Sequence, residues 1–235
     1  MNTSHRISLK ICTILLASVL AASGAFAQGS GQAEKDDDTK TKQAQAVSKE
    51  VYEKIQKAQE MVDAKDYNGA LRSLNSLYNP DKLTEYEQAN VLNYLGFVHY
   101  NMDNMPQAIS TYRKLLAIPS LEPQMAKSTT FTMAQLLTVQ ENYSEALTTI
   151  NKWFTLESNP APQPFILKAQ ILYNLERYRE MIAPIEMAMQ VAERRDLEVK
   201  EDWYNLLNFA YFQEENYAKV RDIQIVLLEK WPKKR

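Results

Sequence analysis

Few side chains in this sequence could act as a catalyst or hold a metal ion. The 235 residues include two histidines, His5 and His99, and one cysteine, Cys12. A zinc site needs several closely spaced His or Cys ligands, and a catalytic nucleophile needs a base beside it, yet neither a histidine pair nor such a nucleophile occurs. The five glycines form no phosphate-binding loop. We therefore expect no enzymatic activity, no metal and no cofactor.

Two groups of acidic residues invite another interpretation. Asp36–Asp38 form a run, but the spaced oxygens and the turn glycine of a calcium loop are absent, so a solvated charge run is the favoured interpretation. Four glutamates recur near apparent turns, where we expect exposed positions rather than paired catalytic carboxylates: Glu141, Glu176, Glu214 and Glu215.

The first 27 residues have the features of a secretory signal peptide. Arg6 and Lys10 form a positive head, an apolar run occupies 11–26, and Ala25-Phe26-Ala27 is a small-x-small cleavage site. A membrane anchor is the less favoured alternative, because the strongly apolar part is shorter than the roughly 18 residues that a spanning helix needs. We expect export to the periplasm and no stable membrane insertion after cleavage.

Composition constrains the rest of the chain. Cys12 lies at the start of the apolar run, unlike a lipoprotein cysteine, so the mature chain has no cysteine for a disulfide or a thiolate site. Cleavage removes two basic residues and leaves 25 against 29 acidic ones, and a net negative chain is a poor partner for nucleic acid. Residues 28–46 contain no aromatic and no aliphatic side chain larger than alanine, so we expect a flexible leader.

One short pattern, a polar turn followed by an aromatic residue or methionine, occurs five times. The copies are 65-KDYNGAL-71, 103-DNMPQAI-109, 141-ENYSEAL-147, 176-ERYREMI-182 and 215-ENYAKVR-221. Their central residues, Tyr67, Met105, Tyr143, Tyr178 and Tyr217, are 38, 38, 35 and 39 residues apart. A period of this size predicts stacked helical hairpins, in which each turn sets the angle at which the next helix docks.

Apolar and small residues at spacings of three and four flank each turn and predict one helix on either side of it. In the second copy they are Leu92, Leu95, Gly96 and His99 before the turn and Ala108, Tyr112 and Leu115 after it. We expect His99 to be a core or boundary histidine rather than a catalyst. We also expect Leu95, Tyr112, Leu147 and Tyr217 to be buried at hairpin joints.

The starts of the second helices should be marked by proline or by small polar residues. Pro106 fits the first turn of a helix, where an amide has no partner to lose. Asn68 and Ser144 could accept hydrogen bonds from free amides there.

The pattern resembles the tetratricopeptide repeat (TPR), and 92-LNYLGFVHYNMDNMPQAISTYRKLLAIP-119 carries most of its signature. The resemblance implies an all-α, right-handed superhelix of about five hairpins between residues 47 and 235. We place the hairpins at about 47–80, 84–119, 122–158, 161–195 and 198–232. Met181 replaces the small turn residue of the fourth copy, so its two helices are expected to splay slightly.

In TPR arrays one stripe of each first helix lines a concave groove. Here we assign to the groove Asn90, Asn93, Phe97, Tyr100, Asn101, Phe131, Gln135, Thr138, Ile166, Gln170, Tyr173, Asn174, Asn205, Phe209 and Phe212. Side-chain amides can donate to and accept from an extended peptide backbone, and aromatic rings can bury its side chains, so this composition favours peptide capture over an inert lining. The stripe lacks the lysines and arginines that a clamp for a terminal carboxylate would need.

Four longer strings resemble a narrower family, the periplasmic TPR proteins encoded beside TonB, ExbB and ExbD components in marine gammaproteobacteria. They are 51-VYEKIQKAQEMVDAKDYNGAL-71, 91-VLNYLGFVHYN-101, 131-FTMAQLLTVQENYSEAL-147 and 199-VKEDWYNLLNFAYF-212. The family implies a non-enzymatic scaffold that binds a protein or peptide segment, with a TonB-system component as the expected partner. The alternatives are a scaffold for outer-membrane or cell-wall assembly and, less favoured, a hydrolase with an unrecognised site. Such proteins usually continue beyond 226-VLLEKWPKKR-235. Either this chain is truncated, or the natural protein ends early and leaves the apolar face of its last helix less covered.

Overall fold

A computed structural model describes residues 47–232. The expected signal peptide at 1–27 and the leader at 28–46 lie outside the described residues. Within the described range the chain contains ten α-helices and no strand. This confirms the all-α prediction.

The helices form five antiparallel hairpins in chain order. They are α1 (Lys49–Asp63) with α2 (Tyr67–Leu77), α3 (Glu85–Asn101) with α4 (Met105–Leu116), α5 (Pro123–Val139) with α6 (Tyr143–Leu156), α7 (Pro162–Asn174) with α8 (Tyr178–Arg194), and α9 (Glu201–Gln213) with α10 (Tyr217–Lys230). Each second helix also packs against the first helix of the next hairpin. The core is therefore one continuous seam of joints within and between hairpins.

The turn that repeats five times has one backbone design. The residue two before the aromatic or methionine has a left-handed conformation, for example Lys65 (φ 61°) and Glu141 (φ 57°). The following residue donates its backbone N–H back to the helix it leaves, as Asn104 does to His99 O at 2.9 Å and Asn142 to Leu137 O at 2.9 Å. This closure satisfies carbonyls that a helix end would leave unpaired, and it fixes the exit direction of the chain.

The same residue is the N-cap of the second helix, which corrects the expectation for Asn68 and Ser144. Asp66 accepts a hydrogen bond from Gly69 N at 2.9 Å and Asn216 accepts one from Lys219 N at 3.2 Å. An N-cap oxygen must precede the helix to reach its free amides, whereas Asn68 and Ser144 are already inside their helices. Pro106 lies in the first turn of α4 as predicted.

Small residues bring the two helices of a hairpin into contact. An ideal Cβ atom on Gly96 would lie only 2.5 Å from Cε1 of Tyr112, so the aromatic ring of α4 packs directly on the α3 backbone. Leu95 and Tyr112 are only 4% and 5% exposed, and Leu147 is also buried. In the fourth hairpin Met181 is fully buried, and α7 and α8 pack against each other. The slight splaying of this hairpin stays a prediction.

Glu87 joins the first two hairpins through its buried carboxylate. Its oxygens accept hydrogen bonds from the backbone N–H of Ser48 at 2.9 Å and from the N–H and hydroxyl of Thr84, both at 3.0 Å. Thr84 in turn accepts from Glu87 N, which completes a capping box at the start of α3. Burial opposes ionisation of this carboxyl, but the hydrogen bonds from Ser48 and Thr84 outweigh it and lower the pKa of Glu87 to about 2.

One predicted core residue was wrong. Tyr217 is 60% exposed, although the corresponding residues Tyr67, Met105, Tyr143 and Tyr178 are all partly buried. Tyr178, for example, packs against the Phe209 ring of the following hairpin at 5.3 Å, while no described helix follows α10.

Candidate protein-binding groove

The residues assigned to the groove lie on the first helices of the second to fifth hairpins. Some of them also contact the second helix of their hairpin, as Phe131 does with the Trp153 ring of α6 at 5.1 Å. Most of them are half-buried, which means that each side chain is supported by its neighbours and still meets solvent. This group comprises Asn90, Asn93, Phe97, Tyr100, Asn101, Phe131, Gln135, Gln170, Tyr173 and Phe209, while Asn174, Asn205 and Phe212 are exposed. The first helices of the first two hairpins, α1 and α3, contact each other directly.

Two residues of the stripe are buried and do not contribute an accessible surface. Ile166 is 6% exposed and belongs to the apolar core, because burying its aliphatic side chain is favourable wherever an adjacent helix can cover it. Thr138 is 9% exposed and donates its hydroxyl to Ala134 O of its own helix at 2.7 Å. The sequence period placed both on the correct side of the helix but could not show how far neighbouring side chains close over them.

The amides of the stripe are of two kinds. Asn90, Asn101 and Asn174 each donate to the carbonyl four residues earlier in their own helix, at 2.8 Å. Asn93 and Asn205 make no side-chain hydrogen bond within residues 47–232. The first kind has one N–H engaged and is held in a fixed orientation, whereas the second kind keeps both its donors and its acceptor for a ligand.

Three aromatic rings, one each from α7, α8 and α9, form a cluster. Tyr173 and Phe209 have ring centroids 5.2 Å apart, and Tyr178 lies 6.1 Å from Tyr173 and 5.3 Å from Phe209. The Tyr178 ring meets that of Phe209 edge-on. Contacts of this kind hold aromatic side chains rigid, so the surface they offer to an apolar side chain needs little reorganisation.

Sequence analysis missed Tyr178 as a neighbour of the groove, because it was assigned only to the turn. The sequence did contain a signal for this contact. When the turn is tight, an aromatic residue near the end of a first helix, such as Tyr173, lies close to the aromatic residue just after the turn, which here is Tyr178. Burial is the main cause that raises the pKa of Tyr178, with a smaller contribution from the charge of Glu176, so its hydroxyl stays protonated and able to donate.

Few side chains in the described part of the chain could act as a catalyst or bind a metal ion. His99 is half-buried between helices, its Nδ1 is buried without a hydrogen-bond partner, and burial lowers its pKa. Residues 47–232 contain no group of three or more His, Cys, Asp or Glu side chains placed to hold a metal ion. In the same range no helix combines the length and the apolar character required to cross a bilayer.

Comparisons with solved structures identify the architecture. MamA from Desulfovibrio magneticus RS-1 (residues 41 to the end) superposes with a TM-score of 0.60 at 13% identity, over 78% of this chain and 96% of that one. The fold is a TPR-type helical solenoid. MamA AMB-1 in a P212121 crystal form matches with a TM-score of 0.61 at 15% identity, over 77% of this chain and 91% of that one. The apo form of RapI matches with a TM-score of 0.61 at 16% identity, over 74% of this chain and 51% of that one.

No protein-family model and no curated protein sequence matches the chain. At these identities the structural likeness concerns the fold. This likeness confirms the predicted TPR-type helical fold.

Proposed function

We propose that this protein is a non-enzymatic periplasmic scaffold whose groove binds an extended segment of a protein partner, and that the partner is a component of a TonB energy-transduction system. The observation that carries the proposal is the stripe of half-buried amides and aromatic rings on the first helices. None of the residues assigned to the stripe is charged.

The stripe matches the chemistry of a peptide in extended conformation. The backbone of such a peptide presents an N–H and a C=O at every residue, and an asparagine amide can pair with both. Asn93 and Asn205 are equipped for this because their amides have no partner within the described chain. The cluster of Tyr173, Tyr178 and Phe209 would accept an apolar side chain of the same segment.

Solenoid architecture supports binding over a long surface. Stacked hairpins place equivalent positions of successive first helices side by side, so a bound segment can contact several repeats at once. A segment that bridges Asn93 in the second hairpin and Asn205 in the fifth would make several weak contacts rather than one strong one. The TonB assignment rests on the four strings quoted above, which resemble periplasmic TPR proteins of such systems.

The proposal is tested by titrating the full chain with purified periplasmic domains of TonB and ExbD in a calorimeter. Asn93→Ala combined with Asn205→Ala should weaken binding at least about tenfold, because each lost hydrogen bond costs roughly 0.5–1.5 kcal/mol. Circular dichroism should show unchanged helicity. Asn75→Ala combined with Asn151→Ala is the matched control, since both are exposed asparagines on second helices and should leave binding unchanged.

Two results would contradict the proposal. Binding that survives the Asn93/Asn205 pair but fails in the Asn75/Asn151 pair would move the partner to the second helices. Binding of neither TonB nor ExbD would remove the TonB assignment and favour a partner from outer-membrane or cell-wall assembly.

A further inference from the structure

The groove changes in a regular way from one hairpin to the next. Aligning the five turns makes two positions of each first helix equivalent, the second of them four residues after the first and therefore on the same side of the helix. In the second to fifth hairpins these pairs are Asn93 and Phe97, Phe131 and Gln135, Ile166 and Gln170, and Asn205 and Phe209. Every pair combines one amide with one apolar side chain, and no member of a pair is charged.

The order within the pair is reversed between the outer and the inner of these four hairpins. In the second and fifth hairpins asparagine comes first and phenylalanine second, whereas in the third and fourth an apolar residue comes first and glutamine second. Tyr100 and Phe212 extend the likeness of the outer two, since each follows the phenylalanine of its pair by three residues. Ile55 and Gln59 of the first hairpin repeat the inner arrangement, so Phe97 marks one end of the frame and Phe209 the other.

The four amides of the pairs are all available to a ligand. The side chains of Asn93, Gln135, Gln170 and Asn205 make no hydrogen bond within the described residues. Gln135 and Gln170 are half-buried, so neighbouring side chains restrict them while they still meet solvent. Each amide can donate to a carbonyl and accept from an N–H, which suits the backbone of an extended chain.

The apolar members of the pairs offer most surface at the two ends. Phe209 of α9 lies 5.2 Å from Tyr173 of α7, which shows that these two first helices share one surface, and Phe97 of α3 is half-buried. Between them Ile166 is only 6% exposed, and the half-buried Phe131 rests on a second helix rather than on a neighbouring groove residue. The ends are therefore better suited to hold a large apolar side chain than the middle.

The distance between the two ends sets the spacing of those side chains in a ligand. Phe97 and Phe209 lie three hairpins apart, and a helix with its side chains is about 10 Å across, so they are roughly 25–30 Å apart along the stack. An extended chain advances about 3.3 Å per residue, so eight residues span roughly 26 Å. Residues eight apart in such a chain also point to the same side, because its side chains alternate.

We propose that the groove binds an extended, uncharged segment with two apolar side chains about eight residues apart, one held by Phe97 and the other by Phe209 with Tyr173. Between them Gln135 and Gln170 pair with the backbone of the segment. A charge in this central part would lose hydration without meeting an opposite charge. The inference rests on the proposed function, because it specifies the segment that the same groove takes.

Two synthetic peptides of identical composition test the spacing. Each is a fluorescently labelled chain of eleven residues made of serine, threonine and alanine with two phenylalanines, at positions 2 and 10 in the spaced peptide and at positions 2 and 6 in its isomer. Fluorescence anisotropy with the full chain should show saturable binding of the spaced peptide. Binding of the isomer should be at least about tenfold weaker, because it can reach only one of the two aromatic ends. Lysine or aspartate at position 6 of the spaced peptide should each weaken its binding at least about threefold.

Variants of the protein separate the two ends from the middle. Phe97→Ala should lower the affinity for the spaced peptide to about that for the isomer and leave the isomer unaffected, because the isomer binds at the larger aromatic cluster around Phe209. A loss of fold would instead weaken both peptides, and circular dichroism detects it.

Gln135→Ala combined with Gln170→Ala should weaken binding of the spaced peptide at least about fivefold. Gln107→Ala combined with Gln190→Ala is the matched control, since both are exposed glutamines on second helices and should leave binding unchanged.

Four results would overturn the inference. They are absence of binding of the spaced peptide up to its solubility limit, equal affinity for the spaced peptide and its isomer, an equal loss for both peptides in Phe97→Ala with unchanged helicity, and tighter binding when position 6 is charged. None of these results decides the proposed function, which the Asn93/Asn205 variant tests separately with TonB and ExbD.

Discussion

Gly96 offers a sharp test of how the hairpins close. Its backbone lies against the ring of Tyr112, and an added Cβ would come within 2.5, 2.7 and 2.9 Å of Cε1, Cζ and Cδ1. Ordinary carbon contacts begin near 3.4 Å, so Gly96→Ala must push the buried ring by about 1 Å. Overpacking of this kind costs about 1–3 kcal/mol, while alanine gains about 1 kcal/mol over glycine in a helix interior. We expect a net loss of about 1 kcal/mol in the free energy of unfolding, and a larger loss for Gly96→Leu.

The decisive measurement is a double-mutant cycle. Removing the ring with Tyr112→Leu should let Gly96→Ala show its helix-propensity gain, so the sign of its effect should reverse in that background. Urea denaturation followed by circular dichroism gives the four free energies. If Gly96→Ala stabilises the unchanged chain as much as it stabilises the Tyr112→Leu variant, the inferred close packing of α3 and α4 is wrong.

Two further predictions concern stability. Since the Glu87 carboxyl has a pKa of about 2 in the fold against an ordinary value of 4.5, the unfolded chain takes up the proton first as the pH falls. Glu87 therefore contributes about 1–3 kcal/mol to the free energy of unfolding, after allowance for solvent screening, and this contribution is fully present above pH 4.5 and lost toward pH 2. Glu87→Gln should flatten the pH dependence of the urea midpoint in that window. An unchanged dependence would contradict the capping network. Leu95→Ala should cost roughly 2–5 kcal/mol because Leu95 is 4% exposed, whereas Leu228→Ala should stay within about 0.5 kcal/mol, and equal losses for the two would contradict the assigned core.

The five turns could be predicted from the sequence because their information is local. An aromatic or methionine at a fixed distance from a small residue sets the hairpin, and Gly96 opposite Tyr112 follows from the same alignment. Helical periodicity also placed Asn93 and Asn205 on the outer side of their helices. The capping box at Glu87 was present in the string Thr84-Glu85-Tyr86-Glu87 and could have been read.

Other features depend on neighbouring helices and could not be predicted from a period. The turn residues Tyr178 and Tyr217 occupy equivalent positions, but α9 packs against the first and no described helix covers the second. Ile166 and Thr138 share the helical side of the groove residues yet are buried, because coverage is decided by side chains of other helices. The N-cap was misplaced onto Asn68 and Ser144 because a small polar residue on either side of a turn aromatic has the same appearance in the sequence.

The most direct test of peptide capture by the groove is site-specific photo-crosslinking in intact cells. A photoreactive phenylalanine analogue placed at Phe97, a half-buried position of the stripe, should crosslink to one partner, and mass spectrometry should assign the contact to an extended segment of a TonB-system protein. The same analogue at Thr148, an exposed position on α6, is the control. We predict a specific product from position 97 alone. A product from position 148 with none from position 97 would contradict binding in the groove.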